Sequence, residues 1–253
     1  MSADEMHLDR ARAESFGSVA TDYERYRPGY PDALYDDLLE PRPQRVLDVG
    51  CGTGKFTVGL VERGVTPLGV ELDPRMAEIA RGHDIPVEIS AFETWDVADR
   101  RFDLITCAQA WHWIDPGRGV AKAAEALRPG GTIARFWNHN EVDEPLVSAL
   151  DTVYAEHAPD AHPHGRAPAE DTGYVDPFGA SDAFTDLEVR TYRVERMLSA
   201  DEWVGMASTF SDHQRLGPER LARLGRAVRA TIDAHGGTVR AQCRTLAVFA
   251  RRG

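Results

Sequence analysis

The chain has 253 residues, with 41 acidic and 29 basic side chains and a formal net charge of −12. That balance excludes broad electrostatic capture of nucleic acid or of an anionic membrane, and 42% hydrophobic residues exclude wholesale disorder. Asp4, Glu5, Asp9 and Arg10 break up the N-terminus, so no apolar signal region is expected there. No stretch approaches the roughly 18 uninterrupted apolar residues of a membrane span. Cys51, Cys107 and Cys243 lie too far apart for a disulfide framework or zinc spacing, which reads as reduced thiols in a cytoplasmic protein.

In chain order, residues 1–44 are polar with interspersed aromatics and are punctuated by Pro28-Gly29, Pro31, Pro41 and Pro43. A regular alternation then begins. Arg45 to Gly50 is a short apolar run read as a buried strand, and Lys55 to Arg63 reads as a helix stopped by Gly64. Thr66 to Glu71 is the next strand, and Pro74 opens a helix reaching about Arg81. Pro86 to Ser90 and Phe102 to Cys107 are further strands. A helix follows that ends near Leu127, and Thr132 to Trp137 is the fifth strand. Strands alternating with helices predict βαβ units, a parallel sheet and right-handed crossovers. After Asn138 the rhythm changes. Glu144 to His157 looks helical, residues 158–180 form a Pro/Gly/His/Asp-rich insertion, and Leu187 to Arg193 alternates like a strand with one wet face. Ala200 to Phe210 and Pro218 to His235 are helical patches, and Val239 to Ala250 is expected as an antiparallel edge strand.

The most informative stretch is Asp48-Val49-Gly50-Cys51-Gly52-Thr53-Gly54, between the first strand and the first helix of the alternation. Glycines there allow positive φ and close approach of the backbone to a ligand, and the helix that follows offers unpaired N–H groups. A phosphate-binding P-loop fails, because Val49 replaces its first glycine and Phe56 its hydroxyl. A dinucleotide fingerprint fails, because Lys55 occupies its third glycine position. What remains is acidic-x-G-x-G-x-G, which suits a ligand carrying an ammonium group beside the loop, with Asp48 supplying negative charge. Glu71 ends the second strand 21 residues after Gly50, where a carboxylate can accept both hydrogen bonds of a ribose diol.

Val46 to Thr57 (VLDVGCGTGKFT), Glu71 and the Phe102-Asp103-Leu104-Ile105 strand resemble the class I S-adenosylmethionine-dependent methyltransferases. So do Arg128-Pro129-Gly130-Gly131 and Ala108 to Asp115 (AQAWHWID), which are similar to the small-molecule branch that includes the trans-aconitate type. Phe16 to Pro31, with Tyr23, Tyr26, Arg27 and Tyr30, resembles the N-terminal lid of that branch. The resemblance implies an α/β, Rossmann-like, doubly wound seven-stranded sheet with its last strand antiparallel. It also implies S-adenosylmethionine as cofactor. The expected organisation is a lid over 1–44, a cofactor-binding core over 45–137 and, over 138–253, an insertion, acceptor-pocket helices and completing strands, all in one integrated domain.

By position, the resemblance places Asp48, Gly50, Gly52 and Gly54 along the methionine portion, with Cys51 in the same loop as a small packing residue. Glu71 would take the ribose hydroxyls and Leu72 would flank the adenine, whose edge Ala91, Phe92 and Glu93 would form. Ala108, Gln109 and Trp111 would border the sulfonium end. Tyr23, Tyr26 and Tyr30 fall near one helical face and would form a lid that seals the donor and touches its carboxylate, with Tyr23 and Arg27 counted among the cofactor-binding residues.

Methyl transfer from a sulfonium is an in-line displacement, so alignment and water exclusion carry it, and a base serves only a protonated acceptor. His112 is the first base candidate and His139 the second. His157, His162 and His164 lack a cysteine or acidic ligand at tight spacing and read as a polar loop, so no metal is expected. Trp203, Met206 and Phe210 recur at helical spacing, in a core or as the roof of an acceptor pocket. The expected partner is a small-molecule acceptor with an oxygen or nitrogen nucleophile, with no nucleic acid and no membrane, in a monomer or homodimer. Two alternatives stand beside it: carboxyl methylation of a small acid clamped by an arginine such as Arg27 or Arg135, and a catalytically silent donor-binding module.

Overall fold

The computed structural model describes residues 3–9, 16–166 and 176–253. Residues 167–175 of the expected insertion and Arg10 lie outside the described residues. Seven strands form one sheet: β1 (Val46–Val49), β2 (Leu68–Glu71), β3 (Val87–Ile89), β4 (Phe102–Ala108), β5 (Leu127–Val142), β6 (Phe184–Ser199) and β7 (Thr238–Arg252). Their order is β3-β2-β1-β4-β5-β7-β6. The pairs among β1 to β5 are parallel, and β7 runs antiparallel to both β5 and β6.

Every side chain of β1 is buried, as a parallel strand covered on both faces requires. The two-residue period divides them. Leu47 and Val49 join Ile105, Cys107 and Ile133 in one apolar layer, whereas Val46 joins Leu104, Ala134 and Phe136 in the other. That second layer is closed by α2 (Asp32–Leu39), through Leu34, Tyr35 and Leu38, and by Phe56 and Leu60 at α3 (Thr57–Val61). The stacked Tyr35 and Phe56 rings lie 4.8 Å apart, and the Tyr35 hydroxyl donates to the Phe56 carbonyl at 2.9 Å.

Two helices start as their sequences specify. Asp73 caps α4 (Pro74–Gly82) by accepting from the Arg75 amide at 2.9 Å, and Asp115 caps α5 (Pro116–Ala126) by accepting from Arg118 at 2.8 Å. Each has proline in its first turn, where a missing N–H costs nothing. A third apolar cluster gathers α6 (Leu146–His157), α7 (Ala200–Ser208) and α9 (Gly217–Ala234) around Trp203, Leu150 and Ile232. The short α8 (Ser211–Gln214) lies between α7 and α9. No helix among the described residues is long and apolar enough to cross a membrane.

Three sequence expectations need correction. β7 is antiparallel as expected but is not the edge: it pairs on both sides, and β6 forms the edge. β5 and β6 run far beyond Thr132 to Trp137 and Leu187 to Arg193, because β7 pairs with each over most of its length. Tyr23, Tyr26 and Tyr30 do not share a helix face, because α1 (Ala20–Tyr26) ends before Arg27, whose ψ of 138° turns the chain extended ahead of Pro28.

Candidate functional site

A strand order that reverses direction leaves a crevice at the carboxyl tips where neighbouring crossovers diverge. Here the crevice opens over the tips of β1, β2 and β4.

The glycine turn forms its floor. Gly50, Gly52 and Gly54 all have positive φ, at +64°, +57° and +88°. Gly50 and Gly52 line the crevice, and a Cβ on Gly50 would stand 2.4 Å from the Ala110 Cβ. Gly54 faces away, where a Cβ would meet Ile85 Cδ1 at 2.6 Å, so it permits α4 to pack closely. Cys51 is also turned inward and packs with Ala77, Ala80, Ile85 and Val87. Burial, followed by the Glu71 and Asp48 carboxylates, pushes its thiol well up.

Glu71 reaches back across the tip of β2. Its Oε2 accepts from the Gly52 amide at 2.8 Å, and its Oε1 accepts from the Leu72 and Asp73 amides, each at 2.9 Å. Burial raises its pKa, and these backbone donors oppose the rise. Leu72 lines the crevice beside it, with Ala91, Phe92 and Glu93 from the turn after β3.

Asp48 is placed differently from its two neighbours in the motif. It is fully buried beneath the turn, on the opposite side of β1 from Val49. Its carboxylate accepts from the Thr57 and Thr106 hydroxyls at 2.5 and 2.7 Å. Burial pushes its pKa up to about 6 against those two hydrogen bonds. It is not part of the crevice lining, so any action on a ligand there passes through the turn it braces.

Ala108 and Gln109 border the crevice at the end of β4. Gln109 has φ +58°, an uncommon conformation for a residue with a Cβ, and its amide donates to the Phe136 carbonyl at 2.9 Å. Trp111 lies behind this wall and packs against Phe178 at 5.0 Å and Phe92 at 6.3 Å. Its indole nitrogen is buried without a partner among the described residues.

The segment before α1 supplies a roof. The Gly17 amide donates to Asp73 at 2.9 Å, which fastens this segment to the start of α4. Phe16 is thereby held edge-on to both Tyr23 and Trp113, at 6.1 and 5.8 Å. Tyr26 instead abuts Gly205 in α7, and Tyr30 packs edge-on against Phe56 and Phe136. Sequence reasoning missed Phe16, Met76, Ser90, Ala110, Trp113 and Ile114 as lining residues. Ser90, directly after β3, and Ala110, just after β4, had a strand-tip signal. Phe16 had its place in the lid segment, and Met76 had no signal beyond being apolar.

A second, smaller cavity adjoins the first and shares Tyr23 and Gln109 with it. Arg27, Tyr30, Lys55, Asn138, Asn140, Met206 and Phe210 also line it. Arg27 lies over Phe210 at 4.0 Å and Tyr23 at 5.1 Å, and it donates to the Thr209 hydroxyl at 2.8 Å. Burial lowers its pKa, opposed by Tyr23, Tyr30 and Asp212.

Neither histidine singled out as a base lines either cavity. His112 Nδ1 accepts from the Trp137 indole at 3.3 Å. His139 lies on β5 opposite Arg244 of β7, and burial, then the Arg244 charge, lowers its pKa. Arg135 lines neither cavity: it is fully buried, with its guanidinium 2.7 Å from Asp176 and 4.1 Å from the Phe178 ring.

Residues 23–161, more than half of the chain, match a family model described as a methyltransferase domain. An uncharacterized methyltransferase of Mycobacterium tuberculosis is 42% identical over 127 residues, covering 49% of this chain and 52% of that protein. The match thus spans about half the length of that relative. Among solved structures, a candidate type II methyltransferase from Anaeromyxobacter dehalogenans superposes with a TM-score of 0.67 at 24% identity, covering 89% of this chain and 98% of that one. A phosphoethanolamine N-methyltransferase from Haemonchus contortus, solved with phosphomonomethylethanolamine and S-adenosylhomocysteine, gives 0.52 at 14% identity, over 98% of this chain and 60% of that one. At those identities the superpositions speak for the fold, and the family model speaks for descent. By that match the chain belongs to the methyltransferase-domain family, and it has the fold of the class I S-adenosylmethionine-dependent methyltransferases.

Proposed function

We propose that this chain transfers a methyl group from S-adenosylmethionine to an oxygen or nitrogen atom of a small-molecule acceptor. The observation that carries this reading is the pair of adjoining cavities, one over the glycine turn and one under Arg27 and Phe210, which meet at Tyr23 and Gln109. A donor in the first and an acceptor in the second would face each other across that junction.

The residues present fit the donor. Gly50 and Gly52 leave a floor without side chains where an amino-acid portion can lie, and Glu71 offers carboxylate oxygens at the next strand tip. Leu72, Ala91 and Phe92 supply an apolar flank for a base, and Tyr23 stands at the end nearest Arg27. When bound, the cofactor supplies an already activated methyl group. The chain's own task is then to align the acceptor and keep water away, for which the Phe16 and Tyr23 roof is placed. Neither His112 nor His139 lines either cavity, which favours alignment as the chain's contribution.

One observation favours the carboxylate reading as a second possibility. Among the described residues the lining of the second cavity includes Arg27 and Lys55 and no acidic side chain, although Glu24 lies 3.7 Å from the Lys55 ammonium, in a chain of net charge −12. An anionic acceptor suits such a wall, and a carboxylate needs no base.

The test is incubation of the purified chain with methyl-labelled donor and fractionated metabolite extract. Label in a small product supports the proposal, and its release by mild alkali would identify an ester. Donor binding with no label transfer across a broad acceptor panel would assign the fold a binding role instead, and label in nucleic acid would overturn the acceptor class.

A further inference from the structure

Where the segment after α6 meets α8, three ligand-type side chains converge that the methyl-transfer site does not use. One candidate ligand atom each from His164, Asp212 and His213 lies within 4.8 Å of the other two. His213 is fully buried, with its Nδ1 2.9 Å from Asp212 Oδ1 and its Nε2 2.8 Å from the Tyr154 hydroxyl. His164 Nε2 is buried with no hydrogen-bond partner among the described residues. The His164 ring stacks on Phe210 at a centroid separation of 3.6 Å, so turning outward to find water would break that stack. A buried polar atom left unmatched beside a histidine and a carboxylate calls for an occupant.

We propose that His164, Asp212 and His213 bind a divalent transition-metal ion, zinc above all, with one coordination position left open. Two imidazoles and a carboxylate are a ligand set that zinc takes at about 2.0–2.2 Å, whereas calcium and magnesium prefer oxygen alone. Closing three atoms from a 4.8 Å spread onto such bonds needs only small side-chain movements. The surroundings match what a ligating histidine requires. With His213 Nδ1 on the ion, its Nε2–H donates to Tyr154, which fixes the ring and its tautomer. Asp212 Oδ2 accepts from the His162 amide at 3.0 Å; Oδ1 accepts from the His213 amide at 2.9 Å, and the ion would replace its contact with His213 Nδ1.

The Asp212 carboxylate would partly offset the ion's charge. The ion would fasten the segment at 158–166 to α8 and, through the ring of Phe210, stiffen the wall of the second cavity.

The experiment uses the full chain, stripped with EDTA, dialysed and titrated with zinc chloride in a calorimeter, with melting temperature followed in parallel. The expected result is one equivalent of zinc bound and a rise in melting temperature. His164→Gln and Asp212→Asn should each weaken binding at least tenfold and abolish the rise, and Tyr154→Phe should weaken it by about 10–100-fold. His164→Gln is chosen over alanine to preserve packing on Phe210, and far-ultraviolet dichroism confirms that each variant folds. Absence of stoichiometric uptake overturns the proposal. So does uptake that His164→Gln and Asp212→Asn leave unchanged, because the zinc would then be held by other side chains.

Discussion

The Gly52 amide donates to Glu71 Oε2 at 2.8 Å, which ties the glycine turn after β1 to the tip of β2. One carboxylate therefore braces the floor of the crevice and also faces into it. Because Glu71 is anchored at both oxygens by main-chain donors, its position is set before any ligand arrives, and little ordering cost remains for binding.

Replacing Gly52 by valine tests the floor. At φ +57° a β-branched residue costs about 1–3 kcal/mol of backbone strain. A Cβ would find only Met76 nearby, at 3.5 Å, so the fold should survive while the added branch enters the crevice. Calorimetric affinity for S-adenosylhomocysteine should fall at least tenfold, with a melting temperature lower by several degrees. Unchanged affinity would move the donor elsewhere.

Asp48→Asn separates bracing from charge. A carboxyl raised from 3.8 to about 6 keeps its proton in the folded state after the unfolded chain has lost it. It therefore removes stability as pH climbs from about 4 to about 6, by up to ~3 kcal/mol if the whole shift is realised. Asparagine does not ionise and can still accept from a threonine hydroxyl. The stability difference between variant and parent, measured by urea unfolding, should move in favour of the variant across that window and stay flat above it. A constant difference from pH 4 to pH 7 would remove the proposed shift.

For His112 the expectation follows from its place outside both cavities. His112→Ala should lower turnover less than tenfold at saturating donor and acceptor, with its main effect on the packing of Trp137. A loss of about 10²-fold or more, of the size general-base removal produces, would restore it as the base.

Arg27→Ala removes the bonds to Thr209 and the stacking on Phe210 and Tyr23 together. Destabilisation of about 1–3 kcal/mol is expected from an interior charged donor with these partners. Affinity for the donor should fall at least tenfold if Arg27 meets its carboxylate. Loss of stability with full affinity would confine Arg27 to holding the wall.

The sequence alone determined the α/β alternation, the glycine turn and the opposed Glu71, because each depends on residues within one strand-turn-helix unit. Local chemistry also set the starts of α4 and α5, where Asp73 and Asp115 precede proline. Tertiary structure decided what depends on distant partners. β7 came inside β6 through pairing between residues 39 to 68 positions apart, from Ser199 with Thr238 to Phe184 with Arg252, a choice that strand alternation does not encode. Asp48 turned under the loop because the pleat points it toward Thr57 and Thr106, although its motif position suggested a ligand. His164 read as part of a polar loop because Asp212 and His213, the groups that give it meaning, arrive from a helix far along the chain. Periodicity reports which face of an element is apolar, but only packing decides which other element that face meets.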